Sequence, residues 1–361
     1  MRKIDLYIIK KFLKTFLFTI ALISVVSIAI DLSEKITRLM KSKAPIKEVI
    51  VEYYVNFIPW IIGLLTPVFV LIAVIFFTAR MAKNNEIISI LNAGVSYRRF
   101  LLPYMIGAGI IASALFVGGN YIIPKSTFKK NTFENVYINR GNRKVDVDNV
   151  HFFLGENEKA YVRYFRLRDT SMQGFRTERF NENGELIELL QTERLDFLGP
   201  PNKWRLNGHT VRKFNGMQEE INQYTEKLDT VFPFTPDDFV RYTNEMEMMT
   251  TPELRKFVAY EKSRGVADSI KHITEIQRRL ADPFSIFILT LLGVTVASRK
   301  TRGGMGMNLA IGVATGAFFV FMQKFSATFA QGNIISPELG MWIPNIFFSI
   351  VAIFFISRAQ K

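Results

Sequence analysis

The sequence predicts an α+β membrane protein, with six transmembrane helices in a 3+3 arrangement and an inserted periplasmic β-jelly-roll-like domain. Three observations carry this. Apolar runs occupy residues 16–30, 57–79, 100–123, 283–297, 307–330 and 341–356, mostly near the ~20 residues that ~30 Å of hydrocarbon requires. Between the third and fourth runs the hydrophobic period changes from that of a helix to that of a strand. The formal charge of +14 lies outside that middle stretch, because residues 125–245 hold 19 basic and 19 acidic side chains. The excess base therefore flanks apolar runs, as membrane-anchoring charge does, and a nucleic-acid-binding face is excluded.

The first run follows a basic lead-in of Arg2, Lys3, Lys10, Lys11 and Lys14. It resembles a secretory signal, but Tyr7, Ile8, Ile9, Phe12 and Leu13 extend it as an amphipathic helix, so a retained span with its N-terminus inside is expected. Residues 31–52 then read as an outer connection that holds Lys35, Arg38, Lys41, Lys43 and Lys47, against the topological bias. The second run contains Pro59 and Pro67; the third contains Gly107, Gly109, Gly118 and Gly119, small residues that let helices approach closely.

Residues 80–99 join those two runs, with Arg80 and Lys83 at one end and Arg98 and Arg99 at the other, which places the segment in the cytoplasm. It reads as a short helix over 84–94. Asn84 or Asn85 can cap it, Gly94 ends it, and Ile87, Ile88 and Leu91 form an apolar stripe beside Glu86. Such a helix suits docking into a partner's groove, although a solvated turn-helix is an equal reading.

The middle stretch alternates over seven or more short runs. Asn207-Gly208 and Asn215-Gly216 mark hairpins, as does the Asn181–Gly184 turn. The organisation expected is residues 1–124 for helices one to three, 125–246 for the strand domain, and 247–361 for linker helices and helices four to six. Thr250-Thr251-Pro252-Glu253 opens a linker helix with a capping-box pattern, and Arg278 and Arg279 can pair with Asp282 at the mouth of the fourth run. Gly312 and Gly316 form a Gly-x-x-x-Gly helix-packing motif in the fifth.

No catalytic set is legible. The chain has no cysteine, and its three histidines are far apart, so no metal site is expected. There is no Gly-x-x-x-x-Gly-Lys-Ser/Thr loop and no Gly-x-Ser-x-Gly elbow. Nor do the spans hold the buried acids or histidines on which ion-coupled transporters depend.

The 3+3 spans, the strand domain between them, the segment NNEIISILNAGVS and the run TPELRKFVAYEKSRG…EIQRRLADPF resemble the LptF/LptG permease family (YjgP/YjgQ-type) over nearly the whole chain. The helix-Gly-helix approach to the fourth span is more similar to the LptG member. The resemblance implies the transmembrane subunit of the ABC transporter that extracts lipopolysaccharide from the inner membrane. It implies a sibling permease, a cytoplasmic LptB-type ATPase dimer that binds ATP and magnesium in this chain's stead, and LptC/LptA-type β-jelly-roll partners in the periplasm. The cell inner membrane of a Gram-negative bacterium is the implied location, with both termini cytoplasmic. Glu86 then corresponds to the coupling-helix glutamate, with Ile87, Ile88, Leu91 and Gly94 beside it. Lys35, Arg38, Lys41, Lys43, Lys129 and Lys130 would supply a rim for lipid phosphates, or else snorkel to head groups. One departure is Asp31, where LptG-type chains carry a base. A non-transporting envelope scaffold or mechanotransmission protein shares most of these features and stays open. An open, dry strand domain would favour transport over it.

Overall fold

Residues 3–42, 44–138, 147–155, 157–166, 169–216, 218–236, 245–263, 270–298 and 304–359 are described by the computed structural model. Among the described residues, six helices are long and apolar enough to cross a membrane. They are α1 (Lys3–Ser42), α2 (Ile46–Lys83), α4 (Tyr97–Ile138), α6 (Ile270–Ala297), α7 (Gly304–Gln331) and α8 (Pro337–Ala359). Among the shorter described helices, α3 (Glu86–Asn92) lies between α2 and α4, and α5 (Thr251–Ser263) lies ahead of α6. The described residues form two units, one of helices and one of strands.

The first three crossings outrun their apolar cores. With 40 residues, α1 is about 60 Å long, twice the ~30 Å of hydrocarbon. Residues 31–42, expected in a connection, continue the helix instead, because losing apolar side chains does not break backbone hydrogen bonding. π-helical turns interrupt α2 at Val49–Tyr54 and α4 at Gly118–Ile122 and Glu134–Ile138.

In the helical unit α6 packs on α2, α4 and α8. One core cluster gathers Phe12, Phe69, Phe77, Phe100 and Tyr104, all buried. The Tyr104 hydroxyl lies 3.0 Å from Thr78 Oγ1, so its polar end is satisfied inside the bundle. Gly107 of α4 has Phe12 directly above it, where an added Cβ would come within 2.6 Å of the ring. Gly312 and Gly316 of α7 face α2, against Ile75 and Val68 respectively.

The strand unit is a single antiparallel sheet of six described strands in sequence order. They are β1 (Val147–Gly155), β2 (Glu158–Arg166), β3 (Ser171–Phe180), β4 (Leu186–Gly199), β5 (Lys203–Asn215) and β6 (Gln218–Val231). Seven or more strands were to be expected from the turn signals. The difference arises at Asn207-Gly208, which is no hairpin: β5 runs through it with a shift of register against β6, and Gly208 takes a φ of 70°. A G1-type bulge takes a glycine at positive φ, as a tight turn does, so the same dipeptide suits both. Asn215-Gly216 does turn the chain, with Asn215 paired to Gln218, and Asn181 Oδ1 accepts from the backbone N–H of Asn183 and Glu185 in the β3–β4 turn.

Phe152, Val162, Phe165, Phe175, Trp204 and Leu206 pack into one buried cluster within the strand unit, and Phe234 folds onto them from beyond β6. Trp204 Nε1 donates to the Phe234 carbonyl at 3.1 Å, which fixes that closure. The end strands β1 and β6 are not joined to each other, and β6 is nearly all exposed.

Candidate functional site

The helical unit presents polar clusters at both ends of α1. At the first, the α2–α3 turn places Asn85 in the left-handed region at φ 60°, and Gly94 at φ 82° closes the far side of α3. Ser96 then caps α4, its Oγ accepting from the Arg99 N–H. Glu86 accepts from the Tyr7 hydroxyl of α1 at 3.0 Å and from Asn84 Nδ2 at 3.2 Å, with Lys11 Nζ 3.9 Å away. Arg99 Nη2 donates to Asp5 at 2.6 Å, tying the start of α4 to the start of α1.

The apolar stripe of α3 is divided. Ile87 is 2% exposed and belongs to the bundle core, with Ile90 and Leu91 packed against it, whereas Ile88 is 50% exposed. Ile88, rotated by about 100° from Ile87 along the helix, turns away from the core that Ile87 enters. The surface left open is Ile88 with part of Glu86, not the three-residue face expected.

From Tyr7 to Lys35 α1 climbs 28 residues, about 42 Å, so the second cluster lies across the hydrocarbon layer from α3. There the six candidate bases divide. Arg38, Lys41 and Lys129 are exposed on helical extensions, and Lys43 lies outside the described residues. Lys35 and Lys130 turn inward instead. Lys35 Nζ sits 2.8 Å from Asp31 Oδ1, and is also bonded to Glu134 of α4 and the Tyr53 hydroxyl of α2. Lys130 Nζ stands 3.6 Å from Glu134 Oε2 and 3.9 Å over the Trp60 ring. Asp31 thus neutralises Lys35.

A third cluster occupies the start of α6. Arg278 pairs with Asp282 at 3.2 Å, as its spacing suggests, but Arg279 does not. Its Nε donates to Glu275, and its two terminal nitrogens donate to the Met246 and Met249 carbonyls and Thr251 Oγ1. Gln323 of α7 donates to Asp282 at 2.6 Å. Glu275 escaped the sequence reading, although it precedes Arg278 and Arg279 by three and four residues, the spacing of helical ion pairs. Glu275, Arg278, Arg279 and Asp282 line a recess with Trp60, Leu64 and Lys324. Among the described residues no group of three His, Cys, Asp or Glu side chains could hold a metal ion.

A bundle of six apolar crossings with an inserted strand sheet, charged at both ends, defines a polytopic α-helical membrane protein. Residues 6–358 match the family described as "Lipopolysaccharide export system permease LptF/LptG", and the chain belongs to that family. The match is to the shared description and does not separate the two members. Family and helices together fit a multi-pass inner-membrane protein. It is also 26% identical over 186 residues to an uncharacterized protein of Aquifex aeolicus (strain VF5). That match takes in 50% of this chain and 51% of the other, so the chain spans about half the length of this curated relative.

Proposed function

We propose that the chain is one permease half of an ABC exporter that lifts lipopolysaccharide out of the inner membrane toward a periplasmic bridge. The observation that carries this is that α1 reaches both a short exposed helix on one side of the hydrocarbon and a cluster of bases on the other. The bases Arg80, Lys83, Arg98 and Arg99 put α3 in the cytoplasm, and hence the basic end and the strand unit in the periplasm. Glu86 and Ile88 then face an LptB-type ATPase dimer, and Arg38, Lys41 and Lys129 meet lipid phosphates. A sibling LptF/LptG-type chain completes the cavity, and LptC/LptA-type strand proteins receive the lipid. A scaffold that moves no lipid is the alternative. Unjoined edges β1 and β6, with apolar side chains uncovered on β6, favour transport, because a lipid needs an open apolar surface to leave by. The test is nucleotide turnover. The purified chain should hydrolyse no ATP alone, and adding the ATPase, sibling and lipid should produce turnover coupled to lipid release; turnover by the chain alone would overturn the reading.

A further inference from the structure

Between Asp31 and Met40 only Asp31, Lys35 and Leu39, one per turn, are drawn toward the rest of the bundle, and none of them fully. Leu32, Ile36 and Met40 stand exposed on the same stretch. What holds this part of α1 is therefore mainly ionic, and an ionic hold can be exchanged for another anion, as an apolar one cannot. Lys35 bridges to α2 and α4 through Tyr53 and Glu134, and each of those lies in a π-helical turn, a distortion often found where a helix has a functional task. Two bases, Lys35 and Lys130, face two carboxylates, Asp31 and Glu134, so the cluster is neutral as it stands.

We propose that Glu134 is a positioning residue that occupies the place of the ligand's phosphate. Its carboxylate latches Lys35, and with it the end of α1, against α2 and α4. A phosphate-bearing amphiphile opens the latch by taking Lys35 and Lys130 from Glu134. A phosphate monoester brings up to two negative charges and three acceptor oxygens against the single charge of a carboxylate, which is what lets it compete. Glu134 keeps a partner in the Tyr53 hydroxyl, 3.1 Å away. The inference rests on the permease reading and states what Lys35 does before lipid arrives.

Because the chain lacks cysteine, Ile36→Cys and Phe128→Cys place two spin labels, on exposed positions of α1 and α4. Pulsed EPR in phosphatidylcholine nanodiscs should give one narrow distance distribution. Glu134→Gln should lengthen and broaden it. Phosphatidic acid in the discs should do the same to the otherwise unchanged chain and add nothing to Glu134→Gln. The double variant Lys35→Gln/Glu134→Gln, which strands neither charge, should be equally open and indifferent to phosphatidic acid, and keeps the test alive if the single variant misfolds. Glu34→Gln, exposed on the same stretch, should change nothing. A distribution untouched by Glu134→Gln or the double variant would overturn the latch, and equal opening by inorganic phosphate would overturn a lipid as its carrier. The readout is a distance and needs neither ATP nor a partner, so a failed latch and a failed permease reading are told apart.

Discussion

Arg279 Nε donates to Glu275 Oε1 at 2.8 Å, one turn back along α6, and both side chains are buried. The same guanidinium holds the carbonyls of Met246 and Met249, so one residue joins the fourth crossing to the segment that returns from the strand unit. Removing Glu275 leaves the buried Arg279 without its carboxylate, which typically costs about 3–5 kcal/mol, whereas removing Arg279 leaves Glu275 with Arg278 at 2.8 Å but strips the two carbonyls of their donor. Arg279→Ala and Glu275→Gln should both lower the melting temperature in detergent and the amount of inserted protein. Arg279→Lys should fall between, since it keeps the charge but loses the fork that reaches several acceptors. Wild-type stability in all three would contradict this.

Gly107 and Gly312 both lie under another helix, but against different neighbours. A methyl on Gly107 meets the fully buried Phe12 ring, whereas one on Gly312 meets the far end of Ile75. Overpacking against a rigid ring costs about 1–3 kcal/mol. Gly107→Ala should therefore destabilise the bundle more than Gly312→Ala, as read by thermal unfolding of the full chain.

On α3, burial separates folding from docking. Ile87→Asp places a charge in the core and should deplete folded protein. Ile88→Asp should leave insertion and melting intact while weakening co-purification of an ATPase partner. Glu86→Lys should weaken it too, with some loss at the Tyr7 contact. If Ile88→Asp binds an ATPase normally, α3 is only a turn.

In the strand unit Arg205 grips Asp229 across β5 and β6 through Nε and Nη2, at 2.6 and 2.8 Å, and these hydrogen bonds hold the Asp229 carboxyl below its usual range. A depressed carboxyl stabilises the folded state above its unfolded pKa of ~3.9, and that contribution is lost as pH falls through the folded value. Both groups are well exposed, so the effect is small. Hydrogen-exchange protection of the β5–β6 pairing in the full chain, taken relative to the intrinsic exchange rate at each pH, should fall as the pH drops below about 4, and Asp229→Asn should flatten that dependence.

How much of this was legible in the sequence depended on the range of the interaction involved. Apolar runs and local turn chemistry located the six crossings and the Asn181–Gly184 and Asn215-Gly216 turns. Hydropathy could not show where a helix stops once it leaves the lipid, so residues 31–42 read as a connection although they extend α1. The fate of Lys35 was hidden because Glu134 lies 99 residues away, with nothing local to mark it. Glu275 carried a local signal, its spacing to two arginines. Phe234 did not, since it fills the core from outside any strand.

The central claim, that phosphorylated lipid passes along this chain under ATP-driven work by a partner, is tested most directly by where the lipid can be captured. Leu228 of β6 lies opposite the buried Leu206, hence on the same face of the sheet, yet is itself 43% exposed. Lys227, the next residue, pairs with Asn207 on the same side of the bulge and is exposed on the other face. With photocrosslinkers at these two positions in membranes that hold the whole exporter, Leu228 should capture lipopolysaccharide only when ATP is supplied, and Lys227 should capture none. Equal capture at both positions, capture without ATP, or none at Leu228 while export proceeds would contradict the account.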